Sequence, residues 1–310
     1  MRRGLAALAI VATALITGCT LPKPAGDAPL RYRDATFADV TKTSDIQYGQ
    51  APDANNNPVA LKLDLYQPTG DTETQRPALI WVHGGSFSGG DKTNIVPVDV
   101  ANTFAKLGYV VVSINYRLLG SGCVANPNSC TVAALEAQHD AQGAVRWLRA
   151  NAATYHIDAS RIGFGGESAG AITATLVGLH SEDPGTSGNP GFPSTVGGFV
   201  SVSGGVPNGL FAGPGDAWGL LFHGTADTTV NPQWSTQTEA AMLSAGIPAW
   251  LQLQTDAGHV PWAQYRSLYL EQADYFLYFA LDVAHAHGQP APAARAADRQ
   301  VKQMLKGLPN

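Results

Sequence analysis

The chain is predicted to form an α/β fold, with a mostly parallel central sheet, helices on both faces and no large cap domain. Three observations carry this. Short apolar runs such as residues 78–82 and, but for Ser201, 198–202 alternate with longer stretches of helical period. Runs apolar on both faces belong to strands covered from both sides, the condition under which parallel sheets occur. The 34 Gly and 20 Pro among 310 residues supply tight connections between strands and helices.

Taken in order, the chain opens with Met1-Arg2-Arg3 and an apolar run to about Ile16, a pattern that reads as an export leader over residues 1–18. The run is shorter than the roughly 20 residues of a membrane-spanning helix. Ile16-Thr17-Gly18-Cys19 is similar to a bacterial lipobox, in which Cys19 takes a lipid before cleavage. The alternative is an ordinary leader with an incidental cysteine. The expectation is an exported bacterial lipoprotein of the cell envelope, meeting the membrane only through an N-terminal lipid. Loss of the leader with its two arginines takes the net charge from −5 to −7. Residues 19–44, polar and containing Pro and Gly, are expected to form a tether. The folded domain is expected over 45–285, and 286–310 form an Ala/Pro-rich tail.

Within the domain Leu61, Leu63 and Leu65 alternate with Lys62 and Asp64, the period of a half-buried strand. Further strands are expected at 78–82, 109–115, 161–164, 198–202, 218–222 and 249–253, with helices at about 98–107, 132–155, 169–180, 233–245 and 262–285. In the second helix Ala141, Ala144, Val145 and Leu148 share one face. With Cys19 lipidated, Cys123 and Cys130 remain, and in an oxidising compartment they are expected to pair across a short loop, contributing roughly 2–3 kcal/mol. The net charge and the lack of any basic block exclude a nucleic-acid footprint, and no soft ligands near the two cysteines suggest a metal site.

Three strand ends carry candidate chemistry. Gly166-Glu167-Ser168-Ala169-Gly170 follows one predicted strand and precedes a helix, so Ser168 sits on a sharp turn that only small neighbours allow. The helix N-terminus beneath it favours a developing oxyanion. His83-Gly84-Gly85 follows the strand at 78–82, and consecutive glycines let two backbone N–H groups turn toward one point. Of eight histidines, His83 and His223 precede glycine and read as turn-shaping residues, whereas His259 lies in the loop after the last strand, at the carboxyl edge of the sheet. Asp227, after the strand at 218–222, is the candidate acid that orients it, with Asp256 as rival. Arg117 and Asp140 are either a structural ion pair or two unrelated surface charges. Phe87 and Trp262 either rim the cleft or belong to the core.

The motifs Leu63-Asp64-Leu65-Tyr66-Gln67-Pro68, His83-Gly84-Gly85, Asn115-Tyr116-Arg117-Leu118, Asp140 through Leu148, Gly166-Glu167-Ser168-Ala169-Gly170, His223-Gly224-Thr225-Ala226-Asp227 and Gly258-His259 occur in this order. Over residues 45–285 the chain resembles the carboxylesterase/acetyl-esterase branch of the α/β-hydrolase superfamily, the lipase-like enzymes with a His-Gly-Gly oxyanion segment. The resemblance implies Ser168 as nucleophile, His259 as base, Asp227 as acid, and backbone N–H groups of Gly84, Gly85 and Ala169 as oxyanion donors. Such a mechanism needs no metal or organic cofactor. The expected partner is a small-molecule or glycan-linked ester. The stretches 181–197 and 204–217 are short and flexible by composition, which implies an open cleft suited to short acyl groups. A serine peptidase or amidase on the same fold, or a non-catalytic lipoprotein that binds a ligand, are the alternatives.

Overall fold

A computed structural model describes residues 16–17, 20–53, 55–118, 127–180, 183–207 and 212–286. Nine strands form one sheet in the order β1-β9-β8-β7-β6-β4-β5-β3-β2. They are β1 (Ile16–Thr17), β2 (Val40–Pro52), β3 (Pro58–Pro68), β4 (Arg76–Val82), β5 (Val110–Ile114), β6 (Ile157–Glu167), β7 (Gly198–Val202), β8 (Trp218–Gly224) and β9 (Ala249–Gln254). The strands β5, β4, β6, β7, β8 and β9 run parallel, while β3 pairs antiparallel with β5, β2 antiparallel with β3, and β1 antiparallel with β9. The helices are α1 (Ile95–Leu107), α2 (Pro127–Ala150), α3 (Ala152–Tyr155), α4 (Ala169–Leu179), α5 (Gln233–Ser244), α6 (Trp262–Ala280) and α7 (Val283–Ala286).

Side-chain alternation along the strands builds two cores. Ile80, Val82, Val110, Val112, Phe164 and Phe199 face the side covered by α2 and α4. Their neighbours Leu79, Trp81, Val111, Val200, Val202 and Phe222 face the side covered by α1 and α6. A strand with both faces covered favours apolar side chains on both, which is why β4, β5 and β7 read as nearly continuous apolar runs, interrupted by Arg76, Ser113 and Ser201. The expected strands and helices lie within a few residues of those observed. The exceptions are a break at Asn151, which separates α3 from α2, a break at residues 281–282, which separates α7 from α6, and the helical start of α2 at Pro127, a residue favoured at a first helical position. Cys130 therefore lies on α2, half-buried against the core, while Cys123 and the leader and tail beyond the strand β1 and residue 286 lie outside the described residues.

Two readings require correction. The stretch 19–44 is not a free tether from residue 20 onward. Leu21, Leu30 and Tyr32 are buried in the α1/α6 core, the Leu21 N–H donates to Gln272 Oε1 at 2.6 Å, and the Tyr32 N–H donates to Leu107 O at 2.9 Å. The strand β2 begins inside the same stretch at Val40 and pairs with β3 along its length. Its polar sequence shows no alternation because an edge strand needs apolar contact on one face at most. Of the stretch 181–197, expected to be flexible, the described residues 183–197 are gripped. Arg146 donates to Pro184 O, Gly188 O and Ser194 Oγ, and Arg149 donates to Pro193 O and Thr195 O.

Tyr32 packs edge-on against Tyr109 at 5.4 Å in the strap formed by residues 20–37. Tyr32→Ala is expected to lower the unfolding free energy by about 3–5 kcal/mol, the range for truncating a large buried aromatic. Urea denaturation checks this; a midpoint unchanged from that of the parent protein would restore the tether reading.

Candidate active site

Ser168 occupies the single residue between β6 and α4, with φ 56° and ψ −120°. This left-handed backbone is strained for a residue with a Cβ, and the flanking structure holds it: the Ser168 N–H donates to Val202 O on β7, and Ser168 O accepts the N–H groups of Ala171 and Ile172. The chain can reverse here because Gly170 lies against β4, where a Cβ would stand 2.0 Å from Val82 O. Sequence and geometry agree on the elbow.

The loop after β9 brings His259 to Ser168, with Nε2 at 2.8 Å from Ser168 Oγ. Its Nδ1 lies 2.7 Å from Asp227 Oδ2. A carboxylate on one side and a hydroxyl on the other assign the Nδ1–H tautomer, which leaves Nε2 free to accept the serine proton. Val260 donates its N–H to Ser203 Oγ at 3.0 Å, which fixes the loop one residue beyond the histidine. The rival Asp256 is exposed, and its backbone N–H donates to Thr225 Oγ1.

The Asp227 side chain is fully buried while that of His259 is 24% exposed, so the acid is sealed and the base faces the cleft. Burial alone would push the Asp227 carboxyl up. The bond from His259 and the N–H groups of Thr229 and Val230 on Oδ1 outweigh it and hold the group below the usual carboxylate range. Asp227 is therefore an anion at neutral pH.

His83-Gly84-Gly85 turns beside this array. A Cβ on Gly84 would stand 3.0 Å from Ser168 Cβ, and Gly85 has φ 125° with a Cβ position 2.2 Å from Gly89 O, so both approaches need glycine. The expectation for Gly84 is corrected: its N–H donates to Glu167 Oε1 at 3.0 Å and does not face the cleft. Ala169, the first residue of α4, follows Ser168 directly and has no acceptor one turn back for its N–H. His83 is buried and stacked on Tyr116 at 4.5 Å, a structural role as expected.

Sequence reasoning passed over Glu167 and the second partner of Asp227. The Glu167 carboxyl is buried behind the elbow, accepting the Trp81 indole N–H at 2.6 Å as well as the Gly84 N–H. Burial pushes it up to about 8, so that it keeps a proton at neutral pH. A charged residue inside an otherwise small and apolar motif was the available signal. His223, at the end of β8, places Nε2 at 3.1 Å from Asp227 Oδ2. The pair Arg117 and Asp140 is real, with Arg117 N at 2.8 Å and Nε at 3.0 Å from Asp140 Oδ2. Phe87 and Trp262 are core residues: Phe87 lies edge-on to Tyr116 at 6.1 Å, and Trp262 lies against Trp81 while donating its indole N–H to Asp99 Oδ2. Among the described residues no group of His, Cys, Asp and Glu is arranged to hold a metal, and no helix is long and apolar enough to cross a membrane.

A family model described as BD-FAE matches residues 63–198. Acetylcholinesterase of Gallus gallus is 31% identical over 179 residues, 58% of this chain and 22% of that protein. The matches to the curated relatives span only 22–27% of those proteins' lengths. Among solved structures, a truncated carbohydrate esterase from gut microbiota superposes with TM-score 0.65 at 21% identity, covering 80% of this chain and 98% of that one. An esterase of Thermogutta terrifontis with butyrate bound gives TM-score 0.64 at 22% identity, covering 85% and 99%. The shared architecture is the α/β-hydrolase fold.

Glu167 makes stability fall as pH rises. The folded carboxyl holds its proton to about pH 8, whereas the unfolded one releases it near its ordinary value of 4.5. Between these values unfolding releases a proton, so this group's contribution is full below pH 4.5 and declines toward pH 8. Glu167→Gln is expected to flatten the loss of unfolding free energy between about pH 5 and pH 8, by up to about 1.4 kcal/mol for each pH unit. Parallel slopes for the two proteins in urea titrations would exclude this assignment.

Proposed function

We propose that this chain, a member of the α/β-hydrolase superfamily with its sequence likeness on the carboxylesterase side, is a serine esterase that hydrolyses carboxylic esters of short acyl groups through an acyl-enzyme. The observation that carries the reading is the continuous array from Ser168 Oγ through His259 to a buried, anionic Asp227, at 2.8 and 2.7 Å. His259 takes the serine proton as Ser168 attacks the ester carbonyl, and Asp227 holds the imidazole in its tautomer and stabilises the imidazolium. The N–H groups of Gly85 and Ala169 receive the oxyanion at the N-terminus of α4. The imidazolium returns its proton to the leaving alcohol, and water repeats the sequence on the acyl-serine.

The short acyl preference rests on two supports. The Thermogutta terrifontis esterase has been seen with butyrate bound, and the stretch joining β7 to β8 is short and carries no α-helix among its described residues. Each acyl methylene left in water forgoes about 0.8 kcal/mol. The leader, the Cys19 lipid and the Cys123–Cys130 disulfide belong to the same proposal, as features of an exported, envelope-anchored enzyme.

Ser168→Ala is expected to lower turnover about 10⁶-fold and Asp227→Asn about 10⁴-fold, with Asp256→Asn near the parent rate. Retention of a tenth of the activity by the Ser168 variant would place the nucleophile elsewhere. Across a series of p-nitrophenyl esters kcat/KM is expected to peak between acetyl and butyryl, and a steady climb past octanoyl would reveal an enclosed acyl tunnel.

A further inference from the structure

His223 has no part in the mechanism above, yet its ring is fully buried and touches the catalytic acid. Its Nε2 lies 3.1 Å from Asp227 Oδ2 and 3.1 Å from Val230 O. Both neighbours only accept hydrogen bonds, so Nε2 must carry a proton. On the opposite side Nδ1 lies 2.6 Å from Ser235 Oγ on α5, and that hydroxyl is also 3.0 Å from Gly204 O. Two proton arrangements satisfy these contacts. If Ser235 donates to Gly204 O, Nδ1 must also be protonated and the ring is a cation. If Ser235 donates to Nδ1, the ring is neutral.

The surroundings select the neutral form. The titratable groups that act on His223 are Asp227, from its own loop, and His259, from the loop after β9; α5 contributes only the neutral Ser235. Burial outweighs the pull of Asp227 and lowers the basicity of the ring. A second cation would also oppose the charge that His259 acquires in each turnover. The buried carboxylate is then completely coordinated. Oδ1 accepts from the backbone of Thr229 and Val230, and Oδ2 accepts from two imidazoles, one fixed and one reactive.

We propose that His223 is a positioning residue for the catalytic acid: as the neutral Nε2–H tautomer, held by Ser235, it donates to the same oxygen of Asp227 that accepts His259, fixing the rotation of the carboxylate and tempering its basicity. The role rests on the esterase reading above. Removing this donor leaves the Asp227 charge less dispersed, so the His259 imidazolium is better stabilised. The base then titrates at higher pH while the carboxylate aims less well.

The test combines two variants with one measurement on the parent protein. His223→Phe is expected to lower kcat about 10- to 100-fold with KM little changed. The acid limb of kcat/KM is expected to move up by roughly half to one pH unit. His223→Gln, which keeps an N–H donor, is expected to recover most of the rate and to return the limb to its parent position. Imidazole nitrogen shifts of the parent protein are expected to show His223 protonated at Nε2 and bare at Nδ1 at neutral pH. A doubly protonated ring, or a Phe variant with the parent limb and rate, overturns the proposal. Fluorophosphonate labelling of Ser168 in the parent separates this failure from failure of the esterase reading: without labelling both fall, and with labelling only the role of His223 is at stake.

Discussion

The strained backbone of Ser168 is the constraint around which the molecule is arranged. A residue with a Cβ keeps a φ of 56° only where its surroundings leave no other path. Here β7 accepts its N–H, the first turn of α4 donates to its carbonyl, and β4 lies so close to Gly170 that no side chain fits between them. Because the turn stands at the carboxyl edge of a parallel sheet, the loops after β4, β8 and β9 reach the same point. The loops after β8 and β9 supply Asp227 and His259, and the rigidity of the sheet is what holds the Asp227–His259 and His259–Ser168 hydrogen bonds at 2.7 and 2.8 Å.

The second theme is the satisfaction of buried carboxylates. Asp64 has a fully buried side chain and pairs with Lys42 and Lys92 at 2.7 and 2.9 Å. Asp140 takes Arg117 and the Ser187 hydroxyl. Both stiffen the half of the sheet away from the reactive groups. Asp227 has no Lys or Arg partner and accepts from two backbone N–H groups and two imidazoles. Glu167, with an indole and one amide and no cation, resolves its burial by protonation. Four acids in similar burial thus serve three different ends, decided by the charge of what surrounds each.

Much of this was legible in the sequence, because the signals were local. Strands apolar on both faces, a glycine-flanked serine between strand and helix, and a histidine after the last strand each announce themselves within a few residues. What escaped is non-local. The strand β2 is polar because the edge position spares it a second buried face, so no periodicity marks it. The burial of Leu21 depends on Gln272, some 251 positions away. The direction of the Gly84 N–H is set by Glu167, on another strand, and glycine spacing carries no information about it. His223 was visible as a residue preceding glycine, but its bond to Asp227 exists only once the loop from 225 to 232 folds back over the end of β8.

The packed strap of residues 20–37 has a geometric consequence for a chain anchored at its first mature residue. Only Thr20 separates Cys19 from the buried Leu21, and two extended residues reach about 7 Å at most. A lipid on Cys19 would then hold the body at one fixed corner, beside α6, with no slack to drift. The enzyme would ride at the bilayer surface like a boat moored by a short line, its heading restricted and its reach into the surrounding space set by its own girth. Substrates that arrive on long or insoluble polymers would have to be brought to it, since it has no length of chain with which to swing out and meet them.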